Sequence, residues 1–320
     1  MIFYQIAKNT LRESLREPIY YLLLITALLI IAFSPMMALF VFRDQSKLVF
    51  DTGLATTLVF GMVCSILCAS HTVTREMKNG TVLLLLSKPV PKYIFISAKI
   101  AGVILAMTIF VFCCEAAMLI TIRVAKDQFD LDWLLFYSYL GLLLASSIFG
   151  ALRNYLQRKP FASSSVSALF LLSTILAIIV CIKYPGSTAI DEPVIALSIT
   201  TPVFVILMFA IWIMSALTVS LSTRIDIVSN LTIVSVIFFL GLVSDYFFAS
   251  SAGTFSLSAL FYAILPNWQL FWLADAVAAR RNIPFDYIFL TGIYAISYIF
   301  FLAYIAVIYL EGKRVALRPG

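Results

Sequence analysis

Residues 98–122 read AKIAGVILAMTIFVFCCEAAMLITI, and the only charged residues in this stretch are Lys99 and Glu115. About 20 apolar residues in an α-helix cross the ~30 Å hydrocarbon core of a bilayer. Lipid offers the backbone no hydrogen-bond partner, so a spanning segment must pair its amides internally and is therefore helical. The stretch predicts a transmembrane helix.

The rest of the chain repeats this pattern. Hydrophobic residues make up 62% of the 320 residues and charged residues 12%, whereas a soluble domain carries about 25% charged residues. The apolar runs are continuous, unlike the alternating strands of a membrane barrel. We predict one domain, residues 1–320, that forms an all-α polytopic integral membrane bundle of about eight transmembrane helices. The segments lie near 19–42, 53–74, 98–122, 133–150, 162–183, 203–222, 228–248 and 286–310. In a six-span alternative, two of them are re-entrant or interfacial.

Basic residues in the loops predict the orientation. With the N-terminus inside, fifteen Lys and Arg residues fall in inside loops and seven in outside loops. Because cytoplasmic loops carry the excess of Lys and Arg, both termini are predicted to be cytoplasmic, with an even number of spans. The five cysteines lie within apolar runs, which favours buried apolar side chains over disulfides.

Two segments outside the spans predict helices that lie in the membrane interface. Residues 1–17 carry Ile and Leu at helical spacing among charged residues, which is typical of an amphipathic interfacial helix. Residues 249–285 form the longest outer loop and contain LPNWQLFWLADAVAARRN. Its Trp268, Phe271 and Trp272 predict a second interfacial helix with aromatic side chains at headgroup depth. This helix is either a membrane anchor or an outer gate over a pathway.

The connection after the second span is more elaborate than a simple loop. Residues 74–102 read TREMKNGTVLLLLSKPVPKYIFISAKIAG. Asn79-Gly80 is a turn signal, and the apolar run that follows, residues 82–86, is too short to cross a bilayer. Two prolines, Pro89 and Pro91, end that run before the third span. A short apolar helix at the cytoplasmic face favours contact with a partner surface, and contact with lipid alone is the alternative, so we expect residues 75–95 to do more than connect two spans.

This loop resembles the coupling region of type-2 ABC exporter permeases. In that family a segment of the form R-E-x-x-x-G-T-x-x-x-L-L-S-x-P-[VI] joins the second and third spans. This chain supplies it with Arg75, Glu76, Gly80, Thr81, Leu85, Leu86, Ser87, Pro89 and Val90. The later LPNWQLFWLADA also resembles a stretch common in bacterial members. The family pattern has six spans, and the fourth and fifth segments of this chain appear as an additional pair.

The resemblance implies a function and a set of partners. The chain would be the permease subunit of an ATP-driven exporter in the bacterial inner membrane. It would dimerise with a second permease copy and receive force through the coupling loop from separate cytoplasmic ATPase subunits. The resemblance is also compatible with periplasmic or accessory proteins as further partners. No GxxxxGK[ST] loop occurs in the chain, so ATP hydrolysis is expected on a partner subunit and the chain itself is not predicted to be an enzyme.

Few side chains in the chain point to chemistry of its own. Glu115 is a charged residue inside a predicted span, which makes it a candidate for a transport pathway or a proton relay; a hydrogen-bonded structural glutamate is the alternative. Cys64, Cys68 and His71 share one helix face, but a single helix offers a linear array rather than a metal cage, and no metal site is predicted. No cofactor, catalytic site or nucleic-acid partner is predicted.

Two other functions remain open at the level of sequence. An ion-coupled secondary transporter would use Glu115, although such proteins often carry internal repeats and broken helices, and no clear repeat is visible. A non-transporting membrane anchor would transmit ATPase-driven work to an envelope partner.

Overall fold

The computed structural model describes residues 2–39, 45–78, 91–127, 130–183, 197–248, 264–278, 281 and 283–316. Within these residues the chain forms ten α-helices, a short two-stranded hairpin and one 3₁₀ turn. The helices are α1 (Ile2–Arg16), α2 (Pro18–Ala38), α3 (Gln45–Lys78), α4 (Lys92–Val124), α5 (Trp133–Gln157), α6 (Phe161–Lys183), α7 (Leu197–Ser222), α8 (Ile227–Phe248), α9 (Ala274–Ala278) and α10 (Phe285–Ala316). The strands β1 (Ala125–Asp127) and β2 (Asp130–Leu131) pair antiparallel between α4 and α5.

Eight of the described helices, α2 to α8 and α10, are long and apolar enough to cross a membrane. The prediction of a helical membrane bundle of about eight spans is thereby confirmed. The connection between α7 and α8 is short, since α7 ends at Ser222 and α8 begins at Ile227.

The centre of the bundle is formed by α3, α4 and α7. Helix α4 packs against α1, α2, α3, α5, α6, α7 and α10, and its buried residues lie on all sides of the helix. In the most apolar stretch of α7, 78% of the residues are buried, compared with 22% in α10. Helices α5, α8 and α10 therefore form the outer part of the bundle and present apolar side chains to the surroundings.

Contacts between helix ends show which ends share a side of the bundle. His71 near the end of α3 lies beside Glu17 at the start of α2. The Asn230 side chain, in the first turn of α8, donates to the Ser70 hydroxyl at 2.9 Å. Arg224, between α7 and α8, donates to the carbonyl oxygen of Tyr309 in α10 at 2.7 Å. The helix that precedes the spans and the end of the last span consequently lie on one side, as an even number of spans requires.

Helix α1 is present where the sequence predicts it, but its tightest contact uses small residues. Ala7, Thr10 and Ser14 are the buried residues of α1. Two of them, Ala7 and Thr10, face Gly102 of α4, where an added Cβ atom would lie 2.5 Å from Thr10 Cβ and 2.7 Å from the carbonyl oxygen of Ala7. The two backbones therefore approach each other as closely as a glycine permits.

The outer segment differs from the single interfacial helix expected within residues 249–285. It contains a 3₁₀ turn, Trp268–Phe271, followed by the five-residue helix α9. Trp268 and Phe271 are buried: Trp268 packs over Gly241 of α8, and the Phe271 ring lies 6.1 Å from that of Tyr294 in α10. The glycine leaves room for the indole, so these rings pack into the bundle. Residues 249–263 lie outside the described residues.

The close approach at Gly102 predicts a large difference between two glycine-to-alanine variants. Gly102→Ala is expected to lower the melting temperature of the purified protein, because overpacking against a backbone atom costs about 1 to 3 kcal/mol. Gly141→Ala is the matched control, since an added Cβ there meets nothing within 4 Å. The control should be neutral or slightly stabilising, because alanine has the higher helix propensity. Equal melting temperatures for the two variants would show that α1 does not pack tightly on α4.

Candidate coupling site at one end of the bundle

The residues of the predicted coupling motif lie largely outside the described part of the chain. Arg75 is exposed near the end of α3. Glu76 belongs to the same helix, but its side chain is not among those described. The remaining predicted coupling residues lie outside the described residues, namely Gly80, Thr81, Leu85, Leu86 and Pro89. The structure does describe the two helices on either side of the loop. Helix α3 ends at Lys78 before the loop, and α4 begins at Lys92 after it.

A buried lysine sits on the helix that follows the loop. The side chain of Lys99, two turns into α4, is only 3% exposed, and its Nζ lies 3.8 Å from Oε2 of Glu13 in α1. Removing an ammonium group from water is costly, and an opposite charge offsets part of that cost. The ion pair therefore ties α1 to the first turns of α4.

A second electrostatic contact joins the N-terminal segment to the helix that precedes the loop. Glu17, between α1 and α2, places Oε1 3.3 Å from Nδ1 of His71 in α3. Nδ1 forms no hydrogen bond of acceptable geometry with any described residue, so the contact is electrostatic and is strongest when the imidazole is protonated. We refer to the Glu13–Lys99 and Glu17–His71 contacts together as the α1 ion pairs.

The α1 ion pairs attach the N-terminal segment, residues 2–17, to both helices that carry the loop. Glu13 reaches α4 and Glu17 reaches α3, while Gly102 allows the backbone of α1 to rest on α4. Sequence reasoning missed these contacts, because it assigned α1 only to the membrane interface. The signal that could have identified one of them is Lys99 itself, a cation within an otherwise apolar run that requires a nearby anion.

A buried polar cluster fixes the same end of α3 to the next two helices. The Asn230 side chain of α8 donates to Ser70 Oγ at 2.9 Å and to Ser222 Oγ at 2.7 Å. Ser222, at the end of α7, also donates to the Thr218 carbonyl oxygen at 2.7 Å. All of these side chains are buried. Interhelical hydrogen bonds of this kind hold membrane helices in register where no hydrophobic drive acts between them.

Glu115 lies away from this end of the bundle, between α4 and α7. Its carboxyl group forms a hydrogen bond with the Thr201 hydroxyl of α7, and the side chain is partly buried. The contact is consistent with a role in joining the two central helices. The same contact places the Glu115 carboxyl group between α4 and α7, which is where a transport pathway between these two helices would run.

The cysteine and histidine residues of α3 do not converge. Cys64 and Cys68 are buried with their sulfur atoms 3.9 Å apart, whereas His71 turns to Glu17. Across the described residues, no group of three His, Cys, Asp or Glu side chains comes close enough to hold a metal ion.

A comparison with known protein families identifies the family of this chain. A family model described as ABC-2 family transporter protein matches residues 2–180, which is more than half of the chain. The chain belongs to the ABC-2 transporter family. It is a multi-pass membrane permease of an ABC transporter. The matched region runs from α1 almost to the end of α6 and therefore includes the α1 ion pairs and the predicted coupling loop. No curated protein and no solved structure matches the chain.

The buried ion pair of this ABC-2 permease predicts a non-additive pair of substitutions. Glu13→Gln alone should destabilise the protein by about 2 kcal/mol, because it weakens the compensation of the buried Lys99 charge. Adding Lys99→Met should recover much of that loss, because it removes the buried ammonium group. Thermal unfolding of the four proteins in the cycle measures the interaction. Additive effects would mean that the two charges do not interact.

Proposed function

We propose that this permease is the membrane subunit of an ATP-driven exporter that binds cytoplasmic ATPase subunits through residues 75–92. Two permease copies and separate ATPase chains would make up the transporter, as the resemblance to exporter permeases implies. The observation that carries the proposal is that both helices attached to this loop contact carboxylates of the N-terminal segment, Glu13 in α1 and Glu17 directly after it.

The geometry supports force transfer through the loop. A loop that merely connects two spans needs no further attachment of its ends. Here the end of α3 and the beginning of α4 are each held by a charge on the N-terminal segment, so a displacement of the loop would move α1, α3 and α4 together. Such a linkage suits a partner that pushes on the loop as it binds and hydrolyses ATP.

The position of α4 supports transmission of that movement into the bundle. The Trp212 indole of α7 donates to the Thr108 hydroxyl of α4 at 2.9 Å. The Tyr20 hydroxyl of α2 donates to the Ala106 carbonyl oxygen, also in α4, at 2.8 Å. A shift of α4 would therefore reach both neighbours at the level of the membrane through direct hydrogen bonds.

The charge distribution supports placing the coupling side in the cytoplasm. The helix ends on this side carry the larger share of Lys and Arg, and positive residues are retained on the cytoplasmic side of membrane proteins. We therefore expect both ends of this sequence, and the surface available to an ATPase, to face the cytoplasm of a bacterial cell.

The proposal predicts that Leu85→Asp separates the permease from its ATPase. Affinity-tagged permease, purified in mild detergent, is expected to carry a subunit with a phosphate-binding loop. Leu85→Asp should reduce the copurified ATPase and its stimulated activity by about tenfold or more. The reason is that Leu85 is expected to bind in an apolar groove of the ATPase, where a carboxylate is poorly solvated. Glu76→Ala is expected to retain the ATPase but to lower stimulation. Both effects are measured on folded, monodisperse permease.

Leu156→Asp is the matched control for this experiment. Leu156 is an exposed leucine in the last turn of α5, near the short α5–α6 turn. Leu156→Asp introduces the same charge on the same side of the bundle, in a helix that does not carry the coupling loop. Normal ATPase recovery in Leu85→Asp, or equal loss in Leu156→Asp, would refute the assignment of the loop as the ATPase contact.

A substitution at Glu115 separates the exporter from an ion-coupled transporter. Glu115→Gln keeps an oxygen that accepts the Thr201 hydrogen bond but removes the ionisable group, so we expect normal melting temperature and normal ATPase stimulation. Glu115→Leu loses the acceptor and should lower the melting temperature, because the Thr201 hydroxyl then lacks this partner. If Glu115→Gln remains stable but abolishes stimulation, a titrating carboxyl group is required and the ion-coupled alternative is favoured.

A further inference from the structure

A cavity of about 460 Å³ lies where α1, α4, α5 and α6 meet. Its rim carries three cations from three different segments: Arg16 ends α1, Arg153 lies in α5, and Lys159 lies in the turn before α6. Among the described residues that line the cavity, none is acidic. The two nearby carboxylates of the N-terminal segment, Glu13 and Glu17, contact Lys99 and His71 instead. The rim is therefore an anion-attracting surface.

The positions of two of these cations are set by local structure. Arg158 adopts a left-handed backbone conformation with φ of 53°, which ends α5 abruptly. The Asn154 side chain donates to the carbonyl oxygen of Lys159 at 2.8 Å and holds the turn. Arg153 donates from Nε to Gln157 and lies over the Phe149 ring. An arginine has five N–H donors, so Arg153 retains further donors for a ligand.

The floor of the cavity supplies hydroxyl groups next to the cations. Ser163, Ser164 and Ser167 line it in the first two turns of α6. Ser164 is only 5% exposed and lines the cavity. Ser167 donates to the Ser164 carbonyl oxygen at 2.9 Å. Serine hydroxyls beside a cluster of cations, near the first turn of a helix, favour an anionic oxygen ligand.

The cavity changes from polar to apolar along α6. Beyond the serines it is lined by Val166, Phe170 and Leu171 of α6 and by Ile109 of α4. From Ser163 to Leu171 an α-helix rises about 12 Å, which carries the lining from the charged rim well into the apolar part of the span. Leu171 is 59% exposed, so the apolar end is continuous with the outer face of the bundle that lipid covers.

We propose that this cavity binds an anionic phospholipid, with its phosphate between Arg16, Arg153, Lys159 and the serine hydroxyls. One acyl chain lies against Phe170 and Leu171 and leaves sideways into the bilayer. A small inorganic anion would use only the rim, and a neutral lipid would use only the apolar end. Basic pockets between membrane helices recognise acidic headgroups through the same combination of charge and burial. Lipid binding here requires no ATPase partner.

The test uses full-length permease, delipidated in detergent, and counts bound lipid by native mass spectrometry. The probes are phosphatidylglycerol, phosphatidylcholine with the same acyl chains, and inorganic phosphate. We expect one phosphatidylglycerol molecule to bind with high affinity and to raise the melting temperature, while the other two probes do neither. Equal binding of phosphatidylcholine, or full stabilisation by phosphate alone, would overturn the proposal.

Matched variants distinguish the cavity from general surface charge. The double variant Arg153→Gln, Lys159→Gln should weaken phosphatidylglycerol binding about 25-fold, or about 5-fold for each cation. Lys8→Gln, Arg12→Gln removes two exposed cations of α1 that do not line the cavity, and it should bind lipid normally. Equal weakening by the two double variants would show attraction to net charge alone.

A third variant keeps the charge and removes the space. Ser167 lines the cavity and is exposed, so Ser167→Trp should fill the site without unfolding the protein. It is expected to lose the bound phosphatidylglycerol while its melting temperature without lipid stays unchanged. Retention of lipid in this variant would place the lipid elsewhere and refute the cavity as its site.

Discussion

Polar groups inside a bilayer must find partners within the protein, because lipid offers none. This constraint determines how the central helices are joined. The Trp212 indole of α7 bonds to Thr108 of α4, the Tyr20 hydroxyl of α2 bonds to the backbone of α4, and the Ser220 hydroxyl of α7 reaches the Leu302 carbonyl oxygen of α10 at 3.0 Å. Each bond includes α4 or α7. Because lipid tails are as apolar as the helices, these directional contacts define the arrangement more sharply than apolar packing does.

The sequence predicts the spans well and their contacts poorly. The eight helices follow from runs of about 20 apolar residues. This is a local property, because each residue of a run adds to the prediction without reference to the rest of the chain. The α1 ion pairs depend on which helices become neighbours, which no local pattern encodes. Lys99 shows the difference. It lies between the loop and the third span and is one of the fifteen basic residues counted on the inside, yet in the structure its side chain is buried against Glu13. The burial of Trp268 likewise depends on a distant residue, since Gly241, 27 positions earlier, provides the space for its indole.

The contact of α1 with α4 uses an ion pair where apolar side chains could also have packed. Apolar residues of similar volume would often hold two helices together as well as a buried ion pair or better. Charged contacts depend more steeply on geometry, because moving Glu13 away would leave the buried Lys99 ammonium group poorly compensated. Helix α1 is therefore held in one register against α4, and Gly102 removes the space in which it could slide. A permease that receives force at a loop gains from supports of this kind, since movement at one end is not lost between helices.

Helix α1 also connects the coupling end to the basic cavity. Its segment directs Glu13 and Glu17 towards α4 and α3, whereas Arg16 lines the cavity with the α5–α6 turn. A ligand that requires Arg16 in this position binds the docked arrangement of α1 more tightly than any other, so it stabilises that arrangement by mass action. The same linkage makes lipid affinity sensitive to any displacement of α1 during transport. The α5–α6 hairpin, which looks like an addition to the six-span pattern, thus supplies two of the three cations through which the membrane would act on the helix that supports the loop.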